Sequence, residues 1–152
     1  MISPWLLAAL VGGLIIVGLA VYAGKLLAQL KVQNQQQQRA VNQRNLRILE
    51  SINTIAMAMR EDQCNLSEGA IRLTNLLNAL QFAQPQNFAA DYPGLYGLYD
   101  KVKDMPTHDA RKQYKRNEIM RMDLQRAGFE QELEAQIKTE VTRLASLELP
   151  TR

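Results

Sequence analysis

Few residues in this chain have the types and spacing that chemistry needs. Among its 152 residues are one histidine, His108, and one cysteine, Cys64. A zinc site of the usual kind draws four ligands from several such residues, so no metal is expected. Gly94 and Gly97 are too few for a phosphate loop and follow no strand pattern. No G-x-S-x-G occurs. No Glu-x-x-His pair is present of the sort that di-iron bundles point inward. The expectation is a protein that is not an enzyme and carries no cofactor. What remains is a set of polar residues on otherwise apolar helical stripes: Glu68, Arg72, His108 and Arg111. Extended backwards, the stripe of the last helix passes Arg126, Lys115, Arg111 and His108. His108 and Arg111 should then face whatever Ile119 and Met122 face, and they need partners if buried. Glu68, Asp62, Asp100 and Asp104 are the candidates. The set reads as a buried polar cluster, or as a cluster that receives a partner's backbone or an anion. The plain alternative for Glu68 and Arg72 is a favourable i,i+4 pair on an exposed face.

A second feature is the basic block Arg111–Arg126, in which Lys112, Lys115 and Arg116 form a candidate basic surface. Basic helices bind phosphates. The block is interleaved with Glu118 and Asp123, which favours a solvated face or docking to acidic helices over nucleic acid. Contact with anionic lipid is a further option, weakened by distance from the apolar stretch described next.

The element that must position all of this is Trp5–Gly24, twenty residues without a charge. At 1.5 Å per residue it covers about 30 Å, the hydrocarbon thickness of a bilayer. A core helix would need a polar face, and this stretch has none. A signal peptide would want bases ahead of a shorter apolar run, although Val21-Tyr22-Ala23 passes as a cleavage site. The reading is a single transmembrane helix. Lys25, Lys31, Arg39, Arg44 and Arg47 all follow it and no base precedes it. The positive-inside rule then places the N-terminus outside and the remainder in the cytoplasm of a bacterial inner membrane. Trp5 and Tyr22 sit where interfacial aromatics are expected. Ala9, Gly13, Ile16, Ala20 and Gly24 fall within about 80° on a helical wheel. Such a face suits self-association or docking on another membrane protein, and equally the ordinary abundance of small residues in spans.

The net charge of +3 is unevenly distributed. Residues 25–60 hold six bases and one acid, and residues 61–100 five acids and one base. Residues 101–126 hold eight bases and four acids, after which acids lead five to three. Blocks of this kind suit helices that meet with opposite signs or meet a charged partner. The lone cysteine rules out an internal disulfide.

After the span, residues 25–40 read as a basic, Gln-rich helical stalk or loose linker. A short coiled coil there has too few apolar heptads behind it. Residues 41–149 read as a helical domain. Its first helix carries the stripe Val41, Asn45, Ile48, Ile52, Ile55, Met59. Periodicity breaks at Glu61–Asn65, where Asn65 is a plausible N-cap with Glu68 three residues on. A helix from about Leu66 to Gln81 follows, with Leu66, Ala70, Leu73, Leu77 and Leu80 inward. Gly69 on that stripe marks close helix packing. Phe82–Tyr92 reads as a loop. Pro93 opens a short helix that ends before Pro106. Tyr92, Tyr96 and Tyr99 read as a half-buried cap on the bundle. Thr107 and Asp109 then start a helix that reaches Glu148, interrupted only by Gly128, with Pro150 just past its end. The fold expected is all-α: one N-terminal transmembrane helix and a cytoplasmic antiparallel bundle of about four helices.

Two segments, CNLSEGAIRLTNLL at Cys64–Leu77 and YPGLYGLYDKVKDMPTHDARKQYKRNEIMRMDLQR at Tyr92–Arg126, carry a resemblance. They are similar to the signature segments of an uncharacterised gammaproteobacterial family of single-span inner-membrane proteins with a helical cytoplasmic region. The resemblance covers nearly the whole chain. It implies an inner-membrane location and brings no activity, cofactor or catalytic residue. The function expected is a non-catalytic interaction, adaptor or accessory protein. It would contact the bilayer and another membrane or cytoplasmic protein, or associate with itself through the span. The alternatives are a nucleic-acid or anionic-lipid binding module built on residues 111–126 and, third, an enzyme centred on His108 and Glu68.

Overall fold

A computed structural model describes residues 3–149. Pro150, expected just past the end of the last helix, lies outside the described residues. Among the described residues the regular structure is helical throughout. The elements are α1 (Pro4–Arg60), α2 (Leu66–Ala79), α3 (Phe88–Asp91), α4 (Pro93–Val102), α5 (His108–Arg111) and α6 (Arg116–Leu144). The chain divides into two compact units, the first ending at Gln43 and the second beginning at Arg44.

The first unit contains the apolar stretch of α1. This is the one helix among the described residues that is long and apolar enough to cross a membrane, and none of that stretch is buried in the protein. Val32–Gln38 is helical and exposed. Residues 25–60 contain neither Pro nor Gly, and Leu, Lys and Gln cost a helix little, so nothing breaks α1 there.

The second unit is built on one hydrophobic core. Ile52, Ala56 and Met59 of α1 meet Ala70, Leu73 and Leu77 of α2, Leu95, Leu98 and Val102 of α4, and Ile137, Val141 and Leu144 of α6. Helical periodicity explains most of this set, because residues three and four apart share a face. α1 ends in a left-handed turn. Asp62 has φ 57°, and Gln63 N–H donates to the Ala58 carbonyl at 2.8 Å, closing the helix as a Schellman turn does. Asn65 caps α2, its Oδ1 accepting from the Ser67 and Glu68 N–H groups at 3.0 and 3.3 Å. Gly69 is buried, and a Cβ there would lie 2.7 Å from Met59 Cγ. Asn45, on the α1 stripe, exchanges two hydrogen bonds with the backbone of Gln81, at 2.7 and 3.1 Å. It thereby satisfies the chain where it leaves α2.

The tyrosines each find a different partner. Tyr92 is buried beneath the Arg143 guanidinium, 5.1 Å from its ring centroid. Tyr96 donates to Asn78 Oδ1 at 2.8 Å, and burial pushes its phenol up to about 12. Tyr99 lies under the Lys103 ammonium.

Two expectations need correcting. The segment Phe82–Tyr92 is not all loop, since it contains α3, capped by Asn87. More consequentially, Thr107 does not start a helix that runs to Glu148. α5 stops after one turn, the chain turns through Lys112–Lys115, and α6 starts afresh at Arg116 and ends at Leu144. Thr107 makes no side-chain cap. His108 has φ 41°, a left-handed conformation that L residues seldom adopt. The new start is fixed by Glu118, whose carboxylate accepts the Lys115 N–H at 2.9 Å. It is also favoured by Arg111, which reaches Asp123 in a two-pronged pair at 2.9 and 2.7 Å. Twelve positions apart on a straight helix, these residues would be separated by about 18 Å and could not meet.

Candidate functional site

The break between α5 and α6 builds an open cleft of about 550 Å³ in the second unit. Its walls are the first turns of α2, the end of α4, the Met105–Thr107 connection, α5 and Arg126 of α6. The four residues of the polar set, Glu68, Arg72, His108 and Arg111, all line it. They share the lining with apolar groups, among them Ile71, Val102, Met105 and Pro106. The wall is held by Ser67, whose hydroxyl and backbone N–H both donate to the Glu130 carboxylate of α6.

Sharing a cleft is not the same as pairing. Glu68 pairs with Arg72 one turn along α2, both side chains more than half exposed. This is the plain i,i+4 arrangement. Arg111 is not partnered by Glu68, Asp62, Asp100 or Asp104. Its partner is Asp123, which also takes Arg126 at 2.7 Å. The expected pairing fails because it assumed one continuous helix, in which Asp123 is out of reach. His108 is exposed at the rim rather than facing the Ile119 and Met122 stripe. Asp62 instead pairs with Lys138 of α6.

The electrostatics follow from these pairs. The hydrogen bond from Arg111 holds the Asp123 carboxyl below its usual range, helped by the charges of Arg111 and Arg126 and opposed by desolvation. The same hydrogen bond pushes the Arg111 guanidinium up. One carboxylate thus fixes two guanidiniums, each with five N–H donors, so donors are left for a further acceptor in the cleft. Among the described residues there is no group of three or more metal-type ligands.

Of the basic surface, Lys112 pairs with Asp109 at 2.6 Å. Lys115 and Arg116 are exposed, and neither enters an ion pair among the described residues. In the first unit, Ala9, Gly13, Ala20 and Gly24 are exposed, and a Cβ added at Gly13 or Gly24 would meet nothing.

Residue type alone does not single out Glu140. It is buried at 3% exposure, and its two oxygens accept the Gly94 and Leu95 N–H groups at 2.9 and 2.8 Å. Gln136 donates to it as well. The carboxylate caps the start of α4, where Pro93 has no N–H to offer and the next two donors are buried. The available signal was position: Glu140 lies between Ile137 and Leu144 on the apolar stripe of α6, where an acid must have a partner.

These features define an all-helical protein with one long apolar N-terminal helix and an open, mixed-charge cleft in its second unit. The chain belongs to the family described as Protein of unknown function (DUF2489), which matches residues 16–144. It is 46% identical over 127 residues to an uncharacterised protein of Haemophilus influenzae, covering 84% of each chain. No solved structure matches it.

Proposed function

We propose that this protein is a non-catalytic, membrane-anchored interaction protein. In this reading the apolar part of α1 spans the bacterial inner membrane. The bases that follow it hold the second unit in the cytoplasm, where the C-terminal part of α1 with α2, α4 and α6 forms an antiparallel bundle. A partner protein docks in the cleft between α2 and α5. The observation that carries the reading is the cleft itself, which gathers Glu68, Arg72, His108 and Arg111 around an apolar floor. Its volume falls within the range of binding pockets, and its mixture of bases, an acid and apolar groups suits a protein segment. Acid–base chemistry is less well supported. Glu68 is tied to Arg72, and His108 lies exposed at the rim with no hydrogen-bond partner among the described residues to orient it.

The test is affinity capture of the full chain from native membranes in mild detergent. The wild type is compared with an Arg72→Glu, His108→Ala variant, whose changes lie on exposed side chains. Loss of one co-purifying protein in the variant is expected. An unchanged set of co-purifying proteins would contradict the reading.

A further inference from the structure

The charges that line the cleft between α2 and α5 do not balance. Three guanidiniums line it, those of Arg72, Arg111 and Arg126, and one carboxylate, that of Glu68. Asp123 lines the adjoining groove and is the shared partner of Arg111 and Arg126. Three positive charges therefore meet two negative ones, while Lys112 and Asp109 on α5 pair with each other. The hydrogen bonds are as uneven as the charges. A guanidinium carries five N–H donors. Arg111 gives two of them to Asp123, and Arg126 gives one. Both side chains are only 31% exposed, so much of the water that would serve the remaining donors is already excluded. The same lining holds Ile71, Val102, Met105 and Pro106.

We propose that the segment this cleft receives is both acidic and apolar: a stretch of a partner protein that presents an aspartate or glutamate beside a large aliphatic or aromatic side chain. The inference rests on the docking reading above and adds the chemistry of what docks. A carboxylate matches the planar fork of a guanidinium with two N–H groups at once, and it would cancel the excess charge. A basic segment would have to compete with Arg72 for Glu68 or with two guanidiniums for Asp123, and would set like charges side by side. A neutral apolar segment would cover the spare guanidinium donors and leave them without acceptors. The apolar residues set the second requirement, because an acid alone would leave Ile71 and Met105 against water. Nucleic acid suits the lining poorly, since no Phe, Tyr or Trp lines the cleft for a base to stack on.

The probe is a library of random peptides displayed on phage and selected on the full chain in detergent. Peptides that combine Asp or Glu with Leu, Ile, Val, Met or Phe are expected. Arg72→Glu, a change on an exposed side chain, should weaken the selected peptides at least roughly tenfold, because a charge pair is lost and a like charge gained. Arg72→Gln, which only removes the charge, should weaken them by a smaller factor. Lys115→Glu with Arg116→Glu should leave them unchanged, because neither base lines the cleft. Selection of basic or uncharged peptides, or of none, would overturn the proposal. So would peptides insensitive to both Arg72 variants, acidic peptides without apolar residues, or a single-stranded oligonucleotide that displaces the selected peptides. Capture from native membranes tests docking by itself. A co-purifying protein lost in the Arg72→Glu, His108→Ala variant, with no acid in the selected peptides, would overturn the acidic class and leave docking standing.

Discussion

Single residues hold the second unit together through hydrogen bonds that cross between helices. Glu140 is the clearest case. Removing its carboxylate leaves two buried N–H groups of α4 without an acceptor. Glu140→Ala should therefore lower unfolding stability by roughly 3 kcal/mol, and Glu140→Gln, which keeps one acceptor, by about half as much, read from urea unfolding of the full chain in detergent. Equal, small effects of both would contradict the capping role. Asp123 makes a prediction with a sign. Its folded-state pKa is depressed, so its contribution is complete above the unfolded value near 4 and is lost as pH falls through the lower folded value. Arg111→Gln removes the main cause of the depression, so stability near neutral pH should fall while the acid limb of the stability profile becomes shallower, because less of it is left to lose on protonation. An unchanged acid limb would show that the pair does not form in solution. Neither residue was legible from its type. Glu140 looks like one more acid in an acid-rich segment, and Asp123 becomes the partner of Arg111 only after the backbone turns at Lys112–Lys115.

At the scale of elements, periodicity read well and terminations read unevenly. The α2 stripe, the Asn65 cap and Pro93 at the start of α4 are local patterns, and they appear where the residues put them. The end of α5 is different. Nothing near Lys112 breaks a helix by composition, and the interruption comes from Glu118 capping Lys115 and from the long-range pair of Arg111 with Asp123. This is why His108 faces the cleft rim and not the apolar stripe. Gly69 tests the packing of α2 on α1. A Cβ there would crowd the buried Met59 side chain, so Gly69→Ala should cost about 1 to 3 kcal/mol in thermal or urea unfolding. Shortening Met59 in the same chain should recover part of the loss, because contacting residues are not additive. Strict additivity would mean that α2 and α1 pack less closely at that point.

At the scale of the molecule, the two compact units have different physical characters. The first exposes an apolar helix, and the second closes its own core from Ile52 to Leu144. A fragment of residues 44–152 should keep its helical circular dichroism and unfold cooperatively without detergent. A fragment that remained helical but bound a hydrophobic dye and melted without a transition would show that the core needs the first unit. The apolar stretch and its one-sided basic flank were legible in composition alone. The cleft was legible only as a list of polar residues, because its walls depend on how α4, α5 and α6 meet. The cleft is proposed to receive another protein. This is tested most directly by placing a photo-crosslinking residue at His108 in the full chain in living cells, with the same residue at exposed Glu50 as the comparison. A discrete adduct with a second protein is expected from position 108 and not from position 50. No adduct from position 108, or the same adducts from both positions, would contradict it.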